Sequence, residues 1–245
     1  MPYRRLPNTD AARIRAMKIA LDKGRAIPPT RMAYSSKNIV RLQSFLPRFE
    51  NMIQLQRQSY ASQTSKSKEY SEIVRKSRMY LTHFIRVMNM AILRGDLPAE
   101  TRAFYGLATN ETTIPPLNTE NELLTWGKRI IEGEENRIRK GGCPITNPTI
   151  AVVKVRYFNF VDAWNFQKTL TRRTQEYTFK NSELRKEADE LITQIWNEIE
   201  NTHSDLPEDR RMSESENYGI VYFYRKNELN KVQVASEMPS AIWSQ

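Results

Sequence analysis

Apolar side chains recur every three or four positions in six successive stretches, the spacing of one face of a helix. The first stretch carries Ile14, Met17 and Leu21. Asn8-Thr9-Asp10 stands before it as a cap, with short polar side chains for free N–H groups. Gly24 is the expected end of this helix, and Pro28-Pro29 make a stiff connector. The second stretch, beginning at Ser35 or Ser36, places Leu42, Phe45, Leu46, Phe49, Met52 and Ile53 on one side. Pro47 interrupts it, so either a kink there or a helix start just before it is expected. Residues 59–67 are polar and rich in Ser, Gln and Thr, which predicts a turn. A third helix over about 68–94 then presents Ile73, Tyr80, Phe84, Val87, Met88 and Ala91 inward, and Gly95 ends it.

The same order returns in the second half. Asn118-Thr119-Glu120 repeats the first helix start at an offset of 110, and Gly141-Gly142 close that helix. Asn147-Pro148 is the expected start of the fifth helix, in which Tyr157, Phe160, Val161 and Trp164 repeat the spacing of Leu42, Phe45, Leu46 and Phe49. A turn near residues 180–182 leads to a sixth helix with Leu184, Ala188, Leu191, Ile192, Ile195, Trp196 and Ile199. Asp96-Leu97-Pro98 and Asp205-Leu206-Pro207 close the two longest patterns, 109 residues apart. Arg102 and Tyr105-Gly106 follow the first step; Arg211 and Tyr218-Gly219 follow the second. Offsets of 109 to 115 predict a tandem duplication with loop insertions.

The expected fold is therefore all-α: a three-helix unit built twice, forming a six-helix, bundle-like domain with a pseudo-two-fold axis. The first repeat spans residues 1–112 and the second 113–222, fused as one globular domain. Gly219 to Tyr224 and Lys231 to Val234 are β-like, which predicts a small C-terminal β-hairpin over 219–235 and a tail over 236–245. A lone hairpin is marginal in water, and residues 105–107 are a candidate partner strand.

Charge adds an asymmetry. The net charge is +10. Residues 1–109 hold 20 Lys+Arg against 7 Asp+Glu, and residues 110–245 hold 18 against 21, so the halves carry +13 and −3. No apolar run is long enough to span a membrane, and no apolar segment follows the basic Met1-Pro2-Tyr3-Arg4-Arg5, so neither a membrane span nor a secretory signal is expected. The single Cys143 fits a reducing, cytoplasmic setting.

Candidate chemistry is thin. Two histidines and one cysteine leave no usual zinc set, and neither His83 nor His203 has a Glu three residues before it. Cys143 has no partner base at recognisable spacing. Glu132, Glu134 and Glu135 with Arg137, Arg139 and Lys140 read as an exposed, mixed-charge helix end. No catalytic, cofactor or metal residues are assigned. Trp126, Trp164 and Trp196 sit at core spacing. The repeated Asp96, Arg102, Tyr105, Asp205, Arg211 and Tyr218 read as structural turn residues rather than paired pockets. Arg13, Arg15, Lys18, Lys68, Arg75, Arg78 and Arg86 make a basic surface suited to a polyanion or an acidic partner.

These observations point to a non-enzymatic helical scaffold or protein-interaction module, which binds an acidic protein surface or self-associates. Two alternatives stand beside it: nucleic-acid binding through the basic first repeat, and small-ligand binding in a cleft between the repeats.

Overall fold

A computed structural model of the chain describes residues 3–223. Five α-helices dominate the described residues: α1 (Asp10–Ala26), α2 (Ser36–Leu93), α3 (Glu120–Arg139), α4 (Ile150–Thr202) and α5 (Glu208–Glu216). Short 3-10 helices lie at Pro29–Arg31 and Ala99–Tyr105. A small antiparallel sheet joins β1 (Tyr3–Arg4) to β2 (Tyr222–Phe223), with Tyr3 opposite Phe223 and Arg4 opposite Tyr222.

The helix starts read at Thr9 and Thr119 are local and hold. Thr9 caps α1 by accepting from the Ala12 N–H, and Thr119 caps α3 by accepting from the Glu122 N–H. Glu122 reaches back to the Thr119 N–H, which completes a capping box. The ends at Gly95 and Gly141 hold as well, at φ 82° and 90°. At each, two crossed backbone bonds tie the helix end: Asp96 N–H to Ala91 and Gly95 N–H to Ile92, then Gly142 N–H to Arg137 and Gly141 N–H to Ile138.

Several expectations are corrected. The predicted turns at 59–67 and 180–182 do not exist, because α2 and α4 run straight through them. Neither stretch contains Gly or Pro, and the turn-favouring hydroxyls bond back onto their own helix: Thr64 to the Tyr60 carbonyl, Ser65 to Ser62, Ser182 to Phe179. Pro47 lies inside α2 on an exposed face, where water can serve the carbonyl that its missing N–H leaves. Gly24 does not end α1. It is a helical, buried glycine, and a Cβ there would stand 2.4 Å from the Tyr34 hydroxyl. Helix α4 begins at Ile150 rather than at Pro148; Asn147-Pro148 is a cis step with Asn147 at φ 56°. Residues 105–107 form no strand, since Tyr105 closes a 3-10 helix, and the partner of β2 is the N-terminal β1. The second strand expected near 231–234 and the tail over 236–245 lie outside the described residues.

The described residues divide into two compact units, and the division does not follow chain order. Unit 1 takes the chain up to Arg57 together with the chain from Glu176; unit 2 takes Gln58–Gln175. Unit 1 has its own core, with Met17, Leu42, Phe49, Ile195 and Trp196 at its centre. The core of unit 2 holds Leu81, Phe84, Met88, Leu123, Ile130 and Phe160. Where the apolar stripe lapses, polar side chains link α2 to α4. In unit 1, Gln56 donates to Thr178 and accepts from Asn181. In unit 2, Ser59 bonds Thr174 and Gln63 donates to Thr171.

Regrouping also redistributes charge. Among the described residues, unit 1 carries 17 Lys+Arg and 15 Asp+Glu, a net +2, and unit 2 carries 18 and 11, a net +7. The opposite signs of the two sequence halves therefore do not carry over to the units that fold together.

Candidate functional site

The residues predicted as a basic surface are shared between the units. Arg13, Arg15 and Lys18 belong to unit 1, and Lys68, Arg75, Arg78 and Arg86 to unit 2. Arg13 is spent on structure: its guanidinium grips Asp189 at 2.7 and 2.9 Å, a bidentate tie from α1 to α4. Lys18 pairs with Glu50 at 2.8 Å and Arg75 with Glu72 at 2.9 Å. Arg78 donates to the carbonyls of Leu117 and Asn118, which fastens the connector before α3. Arg15, Lys68 and Arg86 are exposed.

The repeated turn residues divide as well. Tyr105 and Tyr218 are both buried, each just before a glycine of positive φ, Gly106 and Gly219. Pro98 and Pro207 both precede a short helix. Asp96 and Asp205 are exposed, and Asp96 accepts from Arg94. Arg102 is buried and serves the connector, bonding Asn89 and the carbonyls of Ala108 and Thr113. Arg211 is only partly buried. His83 and Cys143 are exposed, and His203 lies beside the Tyr218 ring.

Two of the charges read as an exposed helix end prove to be buried. Glu134 is 0% exposed and Arg137 4%. Arg137 meets both Glu134 oxygens at 2.8 and 2.9 Å and donates to the Cys143 carbonyl. Glu134 also accepts from the Tyr105 hydroxyl and the Ile145 N–H. Burial opposes ionisation of Glu134, but the Arg137 guanidinium, the Ile145 N–H and the Tyr105 hydroxyl outweigh it and hold the carboxyl below its usual range. Burial, reinforced by Glu134, pushes the Tyr105 hydroxyl up. Every strong group here is satisfied from within the chain, so the cluster ties the 3-10 helix and the 143–145 loop to α3. The i, i+3 spacing of Glu134 and Arg137 was legible; their burial was not.

A groove of about 940 Å³ in unit 2 is lined by Tyr70, Glu120, Trp164 and Lys168 among others. The Lys168 ammonium lies over the Trp164 ring, 4.2 Å from its centre. Among the described residues no cluster of His, Cys, Asp and Glu could hold a metal ion.

Unit 2 also exposes apolar side chains on its two long helical segments. On α2, Met79, Met90 and Leu93 are 49%, 53% and 68% exposed; with exposed His83 and Arg86 they form one line at spacings of 4, 3, 4 and 3. On α4, Val152, Val155 and Phe166 are 41%, 57% and 54% exposed; with exposed Asn159 and Asp162 they form a line at spacings of 3, 4, 3 and 4. Both lines lie opposite the core face of their helix, since 81, 84, 85 and 88 on α2 and 153, 157 and 160 on α4 are buried. Periodicity analysis passed over them because it sought the stripe facing the core. The signal was a second, weaker stripe on the same helices.

No protein-family model, no curated protein and no solved structure matches this chain.

Proposed function

We propose that the chain is a non-enzymatic helical interaction module that meets its partner through the outward faces of α2 and α4 in unit 2. The observation that carries this reading is the pair of apolar lines, six large side chains left 41–68% exposed at the spacing of a helix seam. Single exposed apolar residues are ordinary, but a row of them along the outward side of a helix suits docking, and unit 2 offers two such rows. The internal satisfaction of the Glu134 cluster supports a non-catalytic reading, because its polar groups are turned to each other. Nucleic-acid binding is less well supported: four of the seven predicted basic residues are engaged with carboxylates or carbonyls of the chain itself. Among the described residues no helix is long and apolar enough to cross a membrane. A cytoplasmic setting belongs to the same proposal and rests on the lone cysteine.

The proposal includes an internal duplication. It is supported by the matched caps Thr9 and Thr119, the matched Pro98 and Pro207 steps, and the buried tyrosines before Gly106 and Gly219.

Photo-cross-linking in the cells that make the protein tests the docking face. A photoreactive residue at Leu93 or Val155 is expected to capture a protein, while one at exposed Asn197 in unit 1 captures none. Equal labelling at all three positions, or none, would end this reading.

A further inference from the structure

The two exposed lines on unit 2 match each other in spacing and in the order of apolar and polar layers. Laid antiparallel, the 4-3-4-3 spacing on α2 meets the reversed 3-4-3-4 spacing on α4 without a slip. All six apolar residues then find apolar partners: Met79 meets Phe166, Met90 meets Val155 and Leu93 meets Val152. Between them the polar layers also agree. His83 meets Asp162, an acid against an imidazole, and Arg86 meets Asn159, a donor against an amide oxygen. Other pairings of the same lines are worse. A parallel arrangement leaves Leu93 and Val152 against Thr169 and Lys76. Laid antiparallel on its own copy in matching register, the α2 line leaves Leu93 against Lys76, and the α4 line leaves Val152 against Thr169.

We infer that the partner of this face is a second copy of the chain, the α2 line of one copy seating antiparallel on the α4 line of the next. The inference rests on the docking-face reading above and adds the identity of the partner. The contact is heterologous, because one copy offers a different surface from the one it receives. Five layers of helix seam run about 21 Å at 1.5 Å per residue. A single seam of that length is a small contact, so reversible association rather than an obligate dimer is expected.

Sedimentation velocity on the full chain over a micromolar concentration series tests this. The wild type is expected to grow in mass with concentration. A variant carrying Met90→Asp and Leu93→Asp loses its α2 line, and Val155→Asp interrupts the α4 line. Each variant alone is expected to stay monomeric, while an equimolar mixture forms a dimer, because one intact line of each kind remains. All three positions are exposed, so the thermal midpoints of the variants should match the wild type. If a midpoint falls, Met90→Gln with Leu93→Gln and Val155→Gln repeat the comparison with milder changes. A wild type that stays monomeric throughout overturns the inference, as does a mixture that stays monomeric or a single variant that still associates. If the wild type is monomeric while Leu93 cross-links to a different protein, only the identity of the partner fails and the docking face stands.

Discussion

Glu134 shows what one residue can decide. It sits 0% exposed on α3, and its partners come from three places: Arg137 one turn away, Tyr105 from the preceding 3-10 helix, and Ile145 from the following loop. A buried ion pair of this kind is a poor source of stability when whole and a large liability when broken. Glu134→Gln leaves the Arg137 charge uncompensated and is expected to cost about 3 to 5 kcal/mol, read as a fall in the thermal midpoint at neutral pH. Adding Arg137→Met to it should recover part of that loss, since both charges then leave together. The carboxyl titrates lower in the folded chain than in the unfolded one. Its contribution is therefore complete above the ordinary carboxylate range and is lost as pH falls through the lower, folded value. Thermal midpoints taken from neutral pH into acid should decline more shallowly for Glu134→Gln than for the wild type. The sequence carried the pair at helical spacing, but an i, i+3 pair looks the same in solvent and in a core. Only the arrival of Tyr105 and Ile145 separates the two.

At the scale of the element, the long helices matter most. Residues 59–67 have the composition of a turn, yet α2 crosses them unbroken. Their hydroxyls return to their own helix carbonyls, and Ser59 and Gln63 bond Thr174 and Thr171 on α4. The polar stretch of α2 is thus matched by a polar stretch of α4, and each supplies what the other lacks. Ser62→Pro tests this directly. Inside a helix, proline removes one backbone bond and clashes with the preceding turn, a cost of about 3 kcal/mol or more. A drop of that size in unfolding free energy, by denaturant titration, is expected. A substitution without effect would restore the turn.

For the whole molecule, the folding units cut across the sequence halves. Unit 1 needs the start of the chain and the end of α4, since its core joins Met17, Leu42 and Phe49 to Ile195 and Trp196. Unit 2 is contiguous in sequence and holds its own core within 58–175. A fragment of residues 113–223 therefore keeps the apolar face of late α4 but loses α1 and early α2 that cover it. It is expected to lack a cooperative melt by circular dichroism. A fragment of 58–175 is expected to keep one, together with the outward lines on α2 and α4. Charge changes at this scale too: halves of +13 and −3 become units of +2 and +7 over the described residues, so opposite net charge gives no ground for association. The matched lines on unit 2 do.

The helix type, the caps at Thr9 and Thr119, and the glycine ends at Gly95 and Gly141 were determined by the sequence alone, because each depends on neighbours within a few positions. Only the tertiary structure decided that two polar stretches stay helical, that Glu134 and Arg137 are buried, and that the chain's two ends share one unit. The first and last rest on α2 meeting α4 through side chains more than a hundred positions apart, and the second on Tyr105 and Ile145 reaching α3, none of which a local pattern encodes.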